Sequence, residues 1–276
     1  MRRRRFIAPA REQVDRRRFE TPPFAGFEDK RIWFMDDEWP TIETLNNALA
    51  GQTHPVSGMR LTFVQQTPMI LQDGLHYEQR IFEQGWIATR AQNWHDLFNA
   101  AVWSHFMELK ISLNVAQMRE IAYGGGKSRT RRQCALTQFD EAGVIVILHD
   151  SNLLPLWNAH DWQGLFFREA QAWHEGQIRV QVFGHALLEH ALCPDMLLVG
   201  KAIAIVGDIK QPSQVLAEAV TCGHALTDPQ DLRPLPLSGI PGWHPQTETA
   251  LFYKKAPCFQ TLRVGRLYPP PLHLTL

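Results

Sequence analysis

Between residues 135 and 222 the apolar pattern alternates between β-rich runs and helical stretches, and this alternation limits the fold more than any other feature. Residues 135–139 and 144–148 read as two strands. Asp140-Glu141-Ala142-Gly143 lies between them as a hairpin turn, with Gly143 supplying positive φ. A helix is expected over 161–173, then a strand over 178–183, a helix over 185–192, a strand over 202–206 and a helix over 212–222. Strands separated by helices of this length predict a mixed sheet with helices packed on it.

The preceding half reads as mainly helical. Residues 20–58 are rich in turn formers, with a short helical pattern at 41–50; residues 61–64 read as a strand and 77–84 as a short helix or extended segment. Asn93 is a good N-cap for a helix over 94–106, where Leu97, Phe98, Ala101 and Val102 form one broad apolar stripe. A second helix over 108–123 buries Leu109, Leu113 and Ala116, and the glycines at 124–126 stop it. After Thr227 prolines dominate, which predicts an irregular C-terminal wrap. The expectation is a single α+β domain over 21–265, with a basic, flexible arm at 1–20 and a Pro-rich tail at 266–276. At 276 residues such a chain buries enough surface to fold without a disulfide or metal staple.

Charge and cysteine usage narrow the setting. The 28 Lys+Arg equal the 28 Asp+Glu, which argues against a protein that coats itself in nucleic acid. Residues 1–18 nevertheless hold eight arginines against Glu12 and Asp15, a weak case for nucleic acid or anionic lipid set against a plain solvated terminus. Cys134, Cys193, Cys222 and Cys258 form no CxxC pair and read as reduced thiols in a cytoplasmic protein. The run 196–206 is broken by Gly200 and Lys201 and is too short for a bilayer, so no membrane partner is expected.

Three polar groupings carry possible chemistry. In the first, Asn93 caps the helix, His95 and Asp96 occupy its first turn, and Asn99 lies one turn above His95; Arg90 enters from the loop before. A helix amino end with these neighbours can hold an anion and offer a proton carrier, although Asp96 also sits where a carboxylate ordinarily completes a capping box. In the second, His185 and Glu189 are four apart on one helix face at a strand-to-helix junction, suited either to chelating one metal ion or to a buried hydrogen bond. In the third, Asp140 and Glu141, with Asp150, offer oxygen ligands or an ordinary turn. Gly126-Lys127-Ser128 lacks the upstream glycine of a phosphate loop, because Ile121 stands there, and reads as a flexible basic loop.

Five ordered segments carry a resemblance. They are Tyr77-Glu78 through Gly85 to Thr89-Arg90, the run 93–100, the run 135–143, the run 182–189 and the run 234–243. Together they resemble a bacterial family catalogued as domain of unknown function 3025, over residues 30–265. The resemblance implies a bacterial protein and brings no established activity, so no catalytic residue transfers. Its motifs fall on Arg90, His95, Asp96, Asn99, Asp140, Glu141, His185 and Glu189, and leave out the basic arm and the loop at 124–127.

The functional expectation is a hydrolase or transferase acting on an anionic substrate. Arg90 and the helix amino end hold the anion, and His95 is the general acid/base, oriented by Asp96 or Asn99. His185 and Glu189, joined by Asp140, hold a divalent metal ion. The alternative is a non-catalytic binding or scaffold protein in which the same groups form internal hydrogen-bond networks.

Overall fold

The computed structural model describes residues 6–124 and 129–273. Short helices α1 (Arg31–Met35) and α2 (Ile42–Ala48) precede β1 (Thr62–Gln65), α3 (Tyr77–Gln84) and β2 (Trp86–Thr89). Helices α4 (Trp94–His105), α5 (Met107–Gly124) and α6 (Arg131–Ala142) then lead into β3 (Gly143–Leu148). The rest runs α7 (Leu154–Asn158), α8 (Ala170–His174), β4 (Ile178–Val182), α9 (His185–His190), β5 (Val199–Val206), α10 (Pro212–Thr221), β6 (Arg233–Pro236), α11 (Ala250–Lys255) and β7 (Leu272–His273). This is the expected α+β class, with a mixed sheet and packed helices.

The sheet is built on β3 and β5, which pair in parallel from Gly143↔Lys201 to Leu148↔Val206. β4 joins β3 antiparallel, and β6 and β7 share the far side of β5, one antiparallel and one parallel. Every residue of β3 is buried, as its unbroken Val-Ile-Val-Ile-Leu run requires of a strand covered on both faces. Helices α6 and α10 lie against this core and α5 packs on both. A separate β1–α3–β2 unit forms a two-stranded parallel pair, Thr62↔Trp86 through Gln65↔Thr89. Its turn at Gly85 has φ +72, and a Cβ there would strike the Arg60 carbonyl, so only glycine can end α3 and swing the chain into β2.

Four expectations are corrected. The predicted strand 135–139 and its hairpin are the body of α6. Thr130 caps this helix in a reciprocal box with Gln133, and Ala135, Leu136 and Phe139 bury one face at helical spacing. Asp140 and Glu141 therefore sit on a last helical turn, and Gly143 is extended at φ −67 rather than left-handed. The helix expected over 161–173 is broken: 163–168 wind as a π-helical segment, and Glu169, at φ −97 and ψ 24, interrupts the α geometry before α8. The Pro-rich C-terminal segment is a wrap in part only, because it supplies β6, α11 and β7. The basic arm is anchored at several points where it is described, although Arg17 and other residues between them stay exposed. Phe19 is 1% exposed, and the Arg11 guanidinium is buried on the carbonyls of Trp33, Asp36 and Glu38. Residues 1–5 and the loop at 125–128, with Lys127 and Ser128, lie outside the described residues.

Candidate metal centre

Four elements deliver the polar side chains to one place. Asn93 accepts from the Asp96 N–H and starts α4, placing His95 in its first turn and Asn99 one turn on. Gly184 is the N-cap of α9, and the N–H groups of Phe183 and Gly184 both donate to the Gly143 carbonyl at 2.9 Å. A Cβ on Gly184 would collide with Ala142 Cα and Gly143 N, so the chain carrying His185 lies directly on the turn that carries Asp140 and Glu141. The last contributor is α5, whose Lys110, Asn114 and Gln117 are buried polar residues on an otherwise apolar face.

The two imidazoles converge. His185 Nε2 lies 3.1 Å from His95 Nε2 and 3.7 Å from Glu141 Oε2, and one ligand atom from each of the three residues falls within 4.8 Å of the others. Each outer ring nitrogen faces a carboxylate: His95 Nδ1 is 3.1 Å from Glu189 Oε2, and His185 Nδ1 is 3.9 Å from Asp140 Oδ2. The hydrogen bond to Glu189 raises the His95 pKa, although partial burial opposes it. Burial instead pushes His185 down to about 3, against the pull of Asp140. Burial also raises Glu141. For Asp140 burial acts upward, but Lys110 at 2.6 Å and the nearby histidines outweigh it and hold the carboxyl low.

These groups open on a cavity of ≈ 660 Å³ whose lining includes His95, Lys110, Asp140, Glu141 and His185. A second hollow of ≈ 880 Å³ lies under the N-terminal segment, and Arg90 and His95 border both.

A model of the family described as "Protein of unknown function (DUF3025)" matches residues 61–263. The chain belongs to this family. Searches of curated proteins and of solved structures return no match. Every residue of the His95–His185–Glu141 cluster falls within the DUF3025 region, whereas the N-terminal segment that closes the second hollow precedes it.

The partners of several expected site residues differ from the sequence reading. Arg90 lies at the site, but its Nε and Nη2 are committed to Asp96 at 2.9 and 2.7 Å, so its charge is already matched and it does not face an anion alone. His95 is oriented by Glu189, not by Asp96 or Asn99. Glu189 bonds His95 and so does not pair with His185 around one ion. Asp140 serves Lys110 and stands behind His185. Glu141 is the carboxylate that meets both imidazoles. Lys110 was not singled out by the sequence, and Tyr77 and Glu78 entered only as the start of a family motif, without a role at the site. The readable signal was Lys110, Asn114 and Gln117 recurring at i, i+4 and i+7 beside the apolar stripe of α5.

Proposed function

We propose that this protein is a bacterial cytoplasmic hydrolase that uses a divalent metal ion held by His95, His185 and Glu141. The observation that carries the reading is the pair of Nε2 atoms 3.1 Å apart with a carboxylate behind each outer nitrogen. An ion at the usual ~2.05 Å from both nitrogens would subtend roughly 98°, and with Glu141 Oε2 at 3.7 Å from His185 Nε2 roughly 130°, a spread that brackets tetrahedral geometry. Metal-binding histidines characteristically donate their second N–H to a carboxylate, the arrangement Glu189 gives His95 and Asp140 offers His185. The His185 Nδ1 is buried without a hydrogen-bond partner, and the Asp140 carboxylate 3.9 Å away is the group a small movement of the ring on metal binding would bring into contact. Burial keeps His185 neutral, the form that ligates. Three protein ligands beside a cavity leave a coordination position for substrate, and the ion would supply a Lewis acid there. Four unpaired cysteines agree with a reducing compartment, and no described helix is long and apolar enough to cross a membrane.

The same 3.1 Å separation favours one other reading. A charged His95 can donate directly to a neutral His185, which makes the cluster an internal network of a non-catalytic protein. Elemental analysis of the purified, untagged protein beside His185→Ala separates the two. The expected result is near-stoichiometric zinc, manganese or iron in the wild type and its loss in the variant. A wild type that takes up no divalent ion when supplied with one contradicts the enzyme reading and leaves the network.

A further inference from the structure

Two donors on the cavity wall have hydrogens left over. Lys110 Nζ gives one proton to Asn99 Oδ1 at 3.0 Å and one to Asp140 Oδ1 at 2.6 Å; its third has no oxygen or nitrogen acceptor among the described residues, and the Trp103 ring face lies 5.1 Å from the ammonium. That side chain is only 4% exposed. The Tyr77 hydroxyl accepts from Asn99 Nδ2 at 2.8 Å and from Trp103 Nε1 at 3.4 Å, so both its lone pairs are occupied and its own hydrogen is unspent. Asn99 grips both groups at once, which sets the two donors side by side, and both line the ≈ 660 Å³ cavity that His95, His185 and Glu141 open on. Buried donors in folded proteins almost always find an acceptor, and here the open side is the cavity.

We propose that Lys110 and Tyr77 form a subsite for the carboxylate of a small organic acid. Its two oxygens match two adjacent donors, one of them charged. Asp140 already balances the Lys110 charge, so these two donors offer hydrogen bonds without net positive charge and suit a monoanion better than a dianionic phosphate; Arg129, an exposed residue, borders the same cavity but is not one of the two donors. Glu78 lines the same cavity; burial and the nearby Asp140 raise its pKa against the pull of Lys110, and its Oε2 is taken up by Asn114 Nδ2 at 2.6 Å. Trp103, Leu113 and Leu136 complete a partly apolar lining suited to a short hydrocarbon body. The inference rests on the metal-site reading only in treating the cavity as a substrate site, where a bound acid would lie beside His95, His185 and Glu141.

The test titrates hexanoate, hexyl phosphate and 1-hexanol into chelator-treated full-length protein and its Tyr77→Phe variant, by calorimetry and ligand-observed NMR. Hexanoate should saturate and bind more tightly than the other two, and Tyr77→Phe should weaken it by about tenfold, the loss of one hydrogen bond to a charged group. No saturable hexanoate binding up to about 10 mM, within the weak range for small ligands, overturns the proposal. Equal or tighter binding of either other probe, or an unchanged affinity in a folded Tyr77→Phe, overturns it too. Should that variant fail to fold, the Tyr77 ring-carbon resonance of the wild type decides: hexanoate should shift it, and no shift contradicts the subsite. Zinc titration on the same sample keeps the two readings apart, because hexanoate binding without zinc binding sinks only the metal centre and the converse sinks only the subsite.

Discussion

At the scale of single residues, the site depends on which nitrogen of each histidine is occupied. Glu189 holds His95 by Nδ1 and so presents Nε2 inward; it touches the proposed ion only through that ring. Glu189→Gln keeps the shape and removes the charge, and should lower zinc affinity by ~10–100-fold while leaving the fold intact, as a competitive chelator titration would read. An unchanged affinity would mean that the carboxylate does not orient the ring. The sequence made His95, His185 and Glu189 visible because catalytic residue types stood at helix ends. Their pairing was hidden, because ligation across 90 residues of chain depends on how two helices meet and not on spacing along either. Arg90 illustrates the same limit. An arginine beside a helix amino end reads as an anion holder until the fold shows Asp96 already filling that place.

At the scale of elements, the junction between α6, β3 and α9 decides whether the cluster exists. Gly184 rests on the backbone of Ala142 and Gly143, and neither neighbour can yield as a side chain could. Gly184→Ala should therefore push the start of α9 away from the end of α6, separating His185 from Glu141. Both the melting temperature and zinc affinity should fall; a variant that melts and binds zinc like the wild type contradicts this geometry. α6 also shows why part of the fold was illegible. Ala-Leu-Thr-Gln-Phe fits a strand by residue type, and Asp-Glu-Ala-Gly fits a turn. The deciding signals were the Thr130/Gln133 box and the Leu136–Phe139 face, which pack on a sheet that exists only once β5 is in place. By contrast α4 was legible, since Asn93 and its apolar stripe specify the helix locally.

At the scale of the whole molecule, histidines couple stability to pH. His54 is fully buried, and its Nδ1 accepts from the N–H groups of Val56 and Ser57, so protonation would break both contacts. Burial lowers its pKa in the folded state, and burial likewise lowers those of His105, His160, His185, His190 and His244. The unfolded chain therefore takes up protons first. Stability should fall as pH drops below about 6.5, at most by about 1.4 kcal/mol per pH unit for the His54 proton. His95 acts in the opposite sense, because its raised pKa contributes stability at low pH that is lost as pH rises. Glu78 and Glu141, raised by burial, act in the same sense as His95. The six lowered histidines outnumber these three groups, which predicts a lower urea midpoint for the chelator-treated protein at pH 5.5 than at pH 7.5; an equal or higher midpoint at pH 5.5 contradicts it. The proposed ion occupies one point in space, between His95, His185 and Glu141. The most direct measurement is anomalous diffraction from crystals of the protein grown with zinc. A peak is expected within about 2–2.2 Å of both Nε2 atoms and of a Glu141 oxygen. Zinc-free density there, with the two imidazoles in direct hydrogen-bond contact, would contradict it.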